Sequence, residues 1–301
     1  MKILLTGSGG FVGKNLSAYL KNFGSIDIVP INVRAPLHKL QFSEGDVIIH
    51  LAGKAHDLKR TSDDEEYFTV NRDITIALFN QFIDSNTRDF IFFSSVKAAA
   101  DTLDEILDEE FSPQPLTPYG QSKLQAENYL LNQKLPEGKR LIILRPCMIH
   151  GPGNKGNLNL LYSVVKRGIP YPLAAFQNKR SFLSIANLSY IIDKIICDSE
   201  IPGGIYNVAD DEPLSTNQVI TLIAEASNIK PKLWAINASL IKAVAKVGDA
   251  LRLPLNSERL KKLTESYVVS NDKVKNALKI DKLPISSSEG LLNTIKSFHS
   301  S

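Results

Sequence analysis

The sequence contains few of the residues that characterise disulfide-rich, metal-binding or membrane-spanning proteins. Its 301 residues include two cysteines, Cys147 and Cys197, and both lie in apolar stretches. Two such thiols cannot form a disulfide framework or a cysteine-rich metal site, so we interpret them as core residues in a reducing compartment. No apolar run approaches the roughly 20 residues that a membrane-spanning helix needs. A strand pattern from Lys2 to Leu5 opens the chain, so we expect no secretion signal before it and a cytoplasmic location.

A strong charge of either sign is also missing. The net charge is +3 and the pI is about 8.6, with basic and acidic residues mixed along the chain. This mixing argues against a nucleic-acid partner and leaves room for a local anion site. No further ligands converge on the acidic run 63–66, so we expect solvated surface there and predict no metal. With 43% hydrophobic residues, the chain can form one large domain or two of unequal size.

A glycine-rich turn stands between a strand and a helix at the start of the chain. The apolar run 3–5 is followed by Gly7, Gly10 and Gly13, and then by an amphipathic helix pattern. Gly7 allows a tight turn, Gly10 lets the backbone approach a pyrophosphate, and Gly13 lets the helix pack on the strand. Free N–H groups at the helix start bind phosphate. This context favours dinucleotide binding over a simple turn.

The second predicted strand, 28–33, lacks the acidic residue that usually holds an adenosine ribose. It offers Asn32 and then Arg34 instead. Loss of the acid removes repulsion of a 2′-phosphate, and an arginine could bind one. The cofactor is therefore NAD or NADP, with Arg34 as a hint of NADP. The segment 35–45 is too short for another helix and strand, which predicts a trimmed edge of the sheet.

Two further strands end in small or hydroxylated residues. The strand 46–51 leads into Ala52 and Gly53, and the buried strand 90–93 leads into Ser94 and Ser95. In open α/β sheets, ligands bind at the carboxyl ends of the strands, so these residues are expected beside a cofactor. His50 lies inside the first of these strands, where a hydrogen-bonded core histidine is the expected interpretation.

The chemistry is predicted at Tyr119 and Lys123, which open a helix after Pro118. Their spacing of four places both side chains on one helical face. A phenol titrates near 10, and a nearby ammonium lowers that pKa, particularly beside a cationic nicotinamide ring. The pair alone is a weak signal, but it follows the nucleotide turn and the strand-end serines in the expected order.

Composition changes after Pro146, and a substrate-binding region is predicted from there. In the loop 151–157, Lys155 and the amides of Asn154 and Asn157 suit a diphosphate or sugar hydroxyls, and a plain surface turn is equally open. Arg180 follows a turn and enters a strand, which favours bidentate phosphate binding over a surface ion pair. The predicted domains are 1–150 for the dinucleotide, with 182–208 returning to it, and 151–301 for the substrate.

An amphipathic helix is predicted over 235–251. Lys242, Lys246 and Arg252 lie beside its apolar side, which also fits a helix on a membrane surface. Because the apolar face is narrow, a helix packed within the domain is favoured.

These motifs resemble the short-chain dehydrogenase/reductase superfamily, and more closely its extended branch, the NAD-dependent epimerase/dehydratase family. The resemblance covers essentially the whole chain. It is carried by the following segments: Thr6-Gly7-x-x-Gly10-x-x-Gly13, His50-Leu51-Ala52-Gly53, Ser94-Ser95-Val96-Lys97, Tyr119-x-x-x-Lys123, Leu144-Arg145-Pro146, His150-Gly151-Pro152-Gly153 and Arg180-Ser181-Phe182. It implies an α/β fold, a Rossmann-type doubly wound parallel sheet with a smaller C-terminal α/β substrate-binding region.

The resemblance also assigns residue roles. Ser95 would be the catalytic hydroxyl, Tyr119 the acid/base and Lys123 its partner. Positions implied beside the cofactor are Phe11, Val12, Leu51, Ala52, Gly53 and Pro146. Lys97, Asn157 and Arg180 are expected at the substrate, with Arg180 on its diphosphate. Met148, Ser184 and Asn187 depart from residues common in the family, which bears on the substrate.

Three activities are weighed for such an enzyme. A nucleotide-sugar substrate oxidised and reduced at C4, most simply by a UDP-sugar 4-epimerase, is the leading hypothesis. The alternative is an NADPH-dependent 4-keto sugar reductase, which Asn32 and Arg34 favour. A dehydratase is disfavoured because Val96 and Lys97 stand where such enzymes carry Asp and Glu. A non-catalytic dinucleotide-binding protein would be expected to have lost Tyr119 or Lys123. A homodimer is a family expectation.

Overall fold

A six-stranded parallel sheet forms the centre of the molecule. The computed structural model describes residues 1–22, 24–34, 44–54, 63–154, 156–251 and 256–298. The strand order in the main sheet is β2-β1-β3-β4-β5-β8, with every pair parallel. The eight strands are β1 (Lys2–Thr6), β2 (Asp27–Ile31), β3 (Val47–His50), β4 (Asp89–Phe93), β5 (Arg140–Pro146), β6 (Met148–His150), β7 (Phe182–Ser184) and β8 (Gly204–Val208).

Helices cover both faces of this sheet. The α-helices are α1 (Phe11–Lys21), α2 (Asp64–Phe68), α3 (Ile74–Asp84), α4 (Pro118–Leu131), α5 (Asn157–Lys166), α6 (Ile185–Cys197), α7 (Thr216–Ala226), α8 (Ala238–Leu251), α9 (Ser257–Thr264), α10 (Asp272–Leu278) and α11 (Ser287–Ser297). Strand residues alternate between two cores: Ile3 and Leu5 pack with α1 and α6, whereas Leu4 packs with α3 and α4. Burial on both faces explains why the central strands are continuous apolar runs. The predicted doubly wound parallel sheet is confirmed.

The order of the strands places a ligand crevice at one position. From β1 the chain moves to β2 on one side and then to β3 on the other side of β1. The carboxyl ends of β1 and β3 therefore diverge into helices on opposite faces, which is where open α/β sheets bind ligands. Among the described residues β2 is the edge strand; the segment 35–43, part of the predicted trimmed edge, lies outside them.

The C-terminal part forms smaller layers beside the sheet. β6 pairs with β7 in a two-stranded parallel sheet, and β8 pairs with β5 in the main sheet. Helices α5, α7 and α11 share one apolar cluster, and α8 and α9 share another with Leu173. β6 ends at residue 150, where the predicted boundary lies, and pairs with β7 at the start of the segment 182–208. The predicted division into domains stays a prediction. Within the described ranges, the structure has no helix long and apolar enough to cross a membrane.

The sequence interpretation of the two cysteines as core residues holds for only one of them. Cys147 is buried, as expected, whereas Cys197 is exposed. Cys197 is the last residue of α6, and its thiol lies 3.8 Å from Asp193 Oδ1. The interpretation of Cys197 as a core thiol is therefore wrong.

His50 is a buried, hydrogen-bonded histidine, as predicted. Its Nδ1 lies 2.7 Å from Thr6 Oγ1 and its Nε2 lies 2.9 Å from Thr75 Oγ1. Thr6 Oγ1 also accepts a hydrogen bond from the Ala52 amide at 3.0 Å. Burial, with a smaller effect of the Lys123 charge, lowers the pKa of His50 to about 3. The imidazole therefore stays neutral in the folded protein and ties β1, β3 and α3 together.

This pKa predicts a loss of stability in mild acid. Below the ordinary histidine pKa of about 6.5, the unfolded chain takes up a proton that folded His50 does not, so the free energy of unfolding falls as pH falls. Between pH 7 and pH 5 the contribution of His50 is about 2 kcal/mol. Guanidinium unfolding at both pH values measures it. His50→Asn, which cannot titrate, should lose about 2 kcal/mol less than the wild type over this interval; equal losses would contradict the assignment.

Candidate active site

The glycine-rich turn joins β1 to α1 at the crevice. Gly7 has φ +68°, and a Cβ there would lie 2.8 Å from the Ala52 nitrogen. A Cβ at Gly13 would overlap the Gly7 carbonyl oxygen, and one at Gly10 would lie 3.2 Å from it. The turn is thus packed against both its own helix and the end of β3. Any side chain at Gly7 or Gly13 would force these elements apart.

A cavity of about 1190 Å³ extends from this turn along the carboxyl ends of β1, β2 and β3. It is lined by Gly7, Gly10, Asn32, Arg34, Leu51, Ala52 and Gly53, among other residues. Asn32 Oδ1 accepts a hydrogen bond from the Arg34 amide at 3.0 Å, which fixes the turn after β2. The predicted adenine-side residues therefore share one cavity with the glycine turn.

The start of α4 is fixed by capping. Thr117 is the N-cap, and its hydroxyl oxygen accepts from the Gly120 amide at 3.2 Å, while Pro118 occupies the first turn. These residue types are favoured at helix starts because they satisfy or dispense with free N–H groups. Asp101 accepts from the amides of Leu116 and Thr117 at 2.7 and 3.1 Å. The segment before Tyr119 is thereby held against the loop that follows β4.

Tyr119, Lys123 and Ser95 meet in a second cavity of about 250 Å³. Ser95 follows β4 and caps the short 3-10 helix Val96–Ala98, with its Oγ accepting from the Lys97 amide at 3.2 Å. The Ser95 hydroxyl is also hydrogen-bonded to the Tyr119 phenol. Val12, Pro146, Leu51 and Gly53 line the same cavity. Because Leu51 and Gly53 line both cavities, the two adjoin along the end of β3.

The pKa of Tyr119 differs from the expectation drawn from its spacing to Lys123. Burial raises this pKa, and the hydrogen bond from Ser95 opposes the rise. Lys123 does not contribute the expected lowering of this pKa. Its Nζ donates to the Phe93 carbonyl at 2.8 Å and lies 4.8 Å from the Phe92 ring centre. The Tyr119 phenol is therefore protonated at neutral pH. In this form it can donate a proton.

Lys123 lies at the bottom of the cavity, with 4% of its surface exposed. Burial lowers its pKa to about 8, and the charge of Glu127 partly opposes this shift. A Cβ at Gly53 would lie 3.1 Å from Lys123 Nζ and 3.0 Å from Asn71 Oδ1. Asn71, in the π-helical turn Thr69–Asp73, accepts from the Lys54 amide at 2.8 Å and donates to the Lys54 carbonyl at 3.2 Å. Asn71 therefore fixes the backbone after Gly53.

The residues present fit a dinucleotide. The glycine turn lines the larger cavity with backbone, and its close packing against α1 and the end of β3 is possible only because Gly7 and Gly13 have no side chains. Ser94 lines the smaller cavity, and its Oγ is buried with no hydrogen-bond partner among the described residues. A buried hydroxyl without a partner is costly, which is typical of a functional site and unusual in a plain core.

Sequence reasoning missed several residues of the site. Lys54, Cys147 and Ile149 line the smaller cavity, and the ring of Tyr67 lies edge-on to that of Tyr119 at 6.3 Å. Lys54 and Tyr67 come from the polar segment that follows β3. Their types and spacing gave no signal, because only the packing of α2 on α4 brings that segment to the cavity.

Glu127 and Arg145 form a buried ion pair behind the cavity. Arg145 Nε lies 3.0 Å from Glu127 Oε1, and Arg145 Nη2 lies 2.5 Å from Glu127 Oε2. The exposed fractions of the two side chains are 2% and 0%. Glu127 lies one turn beyond Lys123 on the stripe that begins with Tyr119, and this spacing was the available signal.

Three predicted substrate residues do not line the smaller cavity. Lys97 Nζ donates to the Asp101 carbonyl at 2.7 Å and lies 4.1 Å from the Tyr267 ring centre. Arg180 donates to the backbone carbonyls of Glu265 and Lys262 at the end of α9. Asn157 is exposed at the start of α5, and Lys155 lies outside the described residues. Their proposed contacts with substrate stay predictions.

The geometry defines a dinucleotide-binding α/β protein with a tyrosine–lysine pair at the end of its sheet. The family model named NAD dependent epimerase/dehydratase matches residues 3–209. UDP-glucose 4-epimerase of Vibrio cholerae is 35% identical over 251 residues, 74% of this chain and 75% of that protein. GDP-6-deoxy-D-mannose reductase of Pseudomonas aeruginosa is 26% identical over 76% of this chain and 81% of that protein. The chain belongs to the NAD dependent epimerase/dehydratase family.

The fold comparison agrees with this assignment. The structure of RMD from Pseudomonas aeruginosa complexed with NADPH superposes with a TM-score of 0.76 and 21% identity, covering 100% of this chain and 99% of that one. At this identity the likeness establishes the fold. The predicted family, fold class and enzyme nature are confirmed.

Proposed function

We propose that this protein is a UDP-sugar 4-epimerase that works through a 4-keto intermediate. The observation that supports the chemistry is the single cavity in which Ser95, Tyr119 and Lys123 meet beside the glycine turn. The choice of epimerisation follows the Vibrio cholerae relative, which is 35% identical over most of its length.

NAD or NADP, held at the glycine turn, would supply hydride transfer at C4 of the sugar. Tyr119 holds the C4 oxygen and moves its proton, while the Ser95 hydroxyl donates a hydrogen bond to the same oxygen. Lys123, fixed by the Phe93 carbonyl, would place its positive charge in the same cavity as the phenol and the nicotinamide. The predicted cofactor contacts of Phe11, Val12, Leu51, Ala52 and Pro146, and those of Gly7, Gly10, Gly13 and Gly53, belong to this proposal.

The second candidate is a 4-keto sugar reductase that consumes NADPH. Asn32 and Arg34 line the larger cavity where an acidic residue would otherwise repel a 2′-phosphate. The raised pKa of Tyr119 keeps the phenol protonated, the form that donates to a ketone. A dehydratase is disfavoured because Val96 is buried and the Lys97 ammonium is turned to Asp101.

The proposal extends to the substrate side and to the setting of the enzyme. Lys97, Asn157 and Arg180 are proposed at the nucleotide sugar, with Arg180 on its diphosphate. Free thiols at Cys147 and Cys197 fit a reducing compartment such as the cytoplasm. A homodimer is also proposed.

A single assay separates the two candidates. Purified protein is incubated with a panel of UDP- and dTDP-sugars, and its released cofactor is identified by mass spectrometry. Interconversion of 4-epimers without added cofactor supports the epimerase. Steady loss of reduced-nicotinamide absorbance with a 4-keto sugar would overturn the epimerase proposal and support the reductase. Bound cofactor without turnover of any sugar would contradict both.

A further inference from the structure

The segment 96–100 forms a tight turn that begins at Ser95, and we call this segment the Ser95 turn. The Ala98 amide donates to the Ser95 carbonyl at 2.9 Å, and the amides of Ala99 and Ala100 donate to the Val96 carbonyl at 3.1 and 3.2 Å. Valine and alanine side chains cannot donate or accept hydrogen bonds, and they make up four of the five residues of the turn. Contacts from elsewhere in the chain are therefore important for its position.

Tyr267 contacts both ends of the Ser95 turn, although it lies 171 residues beyond Val96. Its hydroxyl lies 2.7 Å from the Ala100 carbonyl oxygen and 3.2 Å from that of Val96. A phenol has one hydrogen to donate, so the shorter contact carries most of this bond. Burial raises the pKa of Tyr267, with the charge of Asp101 as a smaller cause. The phenol therefore stays protonated at neutral pH and acts as a donor to the turn.

The ring of Tyr267 is held against the turn by Lys97. Lys97 Nζ lies 4.1 Å from the centre of this ring and donates to the Asp101 carbonyl at 2.7 Å. A cation within about 6 Å of an aromatic ring centre is attracted to the face of the ring. The ammonium thus fixes the ring at the place where its hydroxyl can reach Ala100.

The main chain of Tyr267 is joined to the segment that carries Arg180. The Tyr267 amide donates to the Lys179 carbonyl at 2.8 Å, and the Tyr267 carbonyl accepts from the Ser181 amide at 2.9 Å. These two bonds flank Arg180. The side chain of Tyr267 therefore contacts the Ser95 turn while its backbone holds the predicted substrate side.

We propose that Tyr267 is a positioning residue for Ser95, because its hydroxyl closes the turn that begins at Ser95 and so directs the Ser95 hydroxyl to Tyr119. The inference rests on the proposed function, in which Ser95 donates a hydrogen bond to the C4 oxygen. Removing the Tyr267 hydroxyl leaves its main-chain bonds beside Arg180 in place. An effect on the rate can therefore be separated from an effect on substrate binding.

Steady-state kinetics of Tyr267→Phe, with a sugar that the wild type turns over, tests the proposal. The variant keeps the ring beside Lys97, so kcat should fall about tenfold while KM stays within about twofold. Ser95→Ala should lower kcat about a hundredfold, the loss typical of removing a hydrogen-bond donor from a reacting oxygen. The double variant Ser95→Ala, Tyr267→Phe should match Ser95→Ala within about twofold, because two groups that act through one contact are not additive.

Tyr206 provides a matched control. Its hydroxyl donates to the Pro202 carbonyl at 2.7 Å, and it lines neither of the two cavities. Tyr206→Phe makes the same chemical change and should keep kcat within about twofold of the wild type. Circular dichroism checks that every variant is folded at the assay temperature.

Hydrogen exchange gives a second measurement that needs no substrate. In Tyr267→Phe the amides of Ala98, Ala99 and Ala100 should exchange faster than in the wild type, because the turn opens more readily without its contact. In Tyr206→Phe these amides should exchange at the wild-type rate. Mass spectrometry of a peptide that spans the Ser95 turn measures both.

The results that would overturn the proposal can be told apart. Wild-type kcat in Tyr267→Phe, beside a large loss in Ser95→Ala, would exclude Tyr267 and leave the proposed function standing. Wild-type kcat in Ser95→Ala would exclude the proposed role of Ser95 together with that of Tyr267. Losses that multiply in the double variant, or unchanged exchange of the Ser95 turn, would assign Tyr267 to general stability instead.

Discussion

Replacing Tyr119 by phenylalanine is expected to lower kcat at least about a hundredfold while the fold stays intact. The change removes the hydroxyl that Ser95 contacts and that we propose moves the proton of the C4 oxygen. A positioned acid/base contributes about 10²- to 10⁴-fold to a rate, so the loss should fall in kcat and not only in KM. Steady-state kinetics with a sugar that the wild type turns over measures the effect.

The control for this experiment lies on the same helix. Tyr129 also belongs to α4, and its hydroxyl donates to Asn80 Oδ1 at 3.0 Å, away from the cavity. Tyr129→Phe therefore makes the same chemical change and should keep kcat within about twofold, since it touches no group that transfers a proton. Turnover by Tyr119→Phe near that of the wild type would exclude Tyr119 as the acid/base.

Replacing Glu127 by alanine is expected to destabilise the protein by about 3–5 kcal/mol. The change leaves the Arg145 guanidinium, 2% exposed, without its carboxylate partner inside the core. Burying an uncompensated charge costs more than the pair itself contributes, because the desolvation of Arg145 is no longer offset. Guanidinium unfolding at neutral pH gives the change in the free energy of unfolding.

A double substitution separates the lost pair from the unpaired charge. Glu127→Met combined with Arg145→Met removes both charges and keeps apolar volume, and it should be within roughly 2 kcal/mol of the wild type. If Glu127→Ala and the double variant lose the same free energy, packing and not the unpaired charge is the cause. Glu127→Gln should in addition lower the pKa of Lys123 further, because the Glu127 charge raises that pKa.

Much of the fold follows from local patterns. The continuous apolar runs at 3–5, 47–49 and 90–93 predict buried parallel strands, since a sheet covered on both faces needs apolar residues at every position. Boundaries were less accurate: the second strand was predicted over 28–33, whereas β2 is Asp27–Ile31. Propensity changes little across a strand end, and the turn fixed by Asn32 Oδ1 and the Arg34 amide decides where pairing stops.

Some features of the site likewise follow from local sequence patterns, whereas others depend on long-range contacts. The spacing of Tyr119 and Lys123 determines that they share one helical face, because an α-helix repeats every 3.6 residues. Their position beside Ser95 depends on the capping of α4 by Thr117 and on the Asp101 contacts, which join segments far apart in sequence. Lys97 is two residues from Ser95, yet the turn of the short helix after Ser95 directs its ammonium to Asp101 and Tyr267.

The sequence by itself determined which segments form the strands of the α/β sheet, the nucleotide turn and the shared face of Tyr119 and Lys123, since each is set by the residue pattern of a short segment. Only the tertiary structure decided the direction of the Tyr119 pKa shift, the partner of Arg145 and the exposure of Cys197. Burial and long-range packing set these properties, because desolvation and the distance between charges depend on which segments meet in the folded molecule.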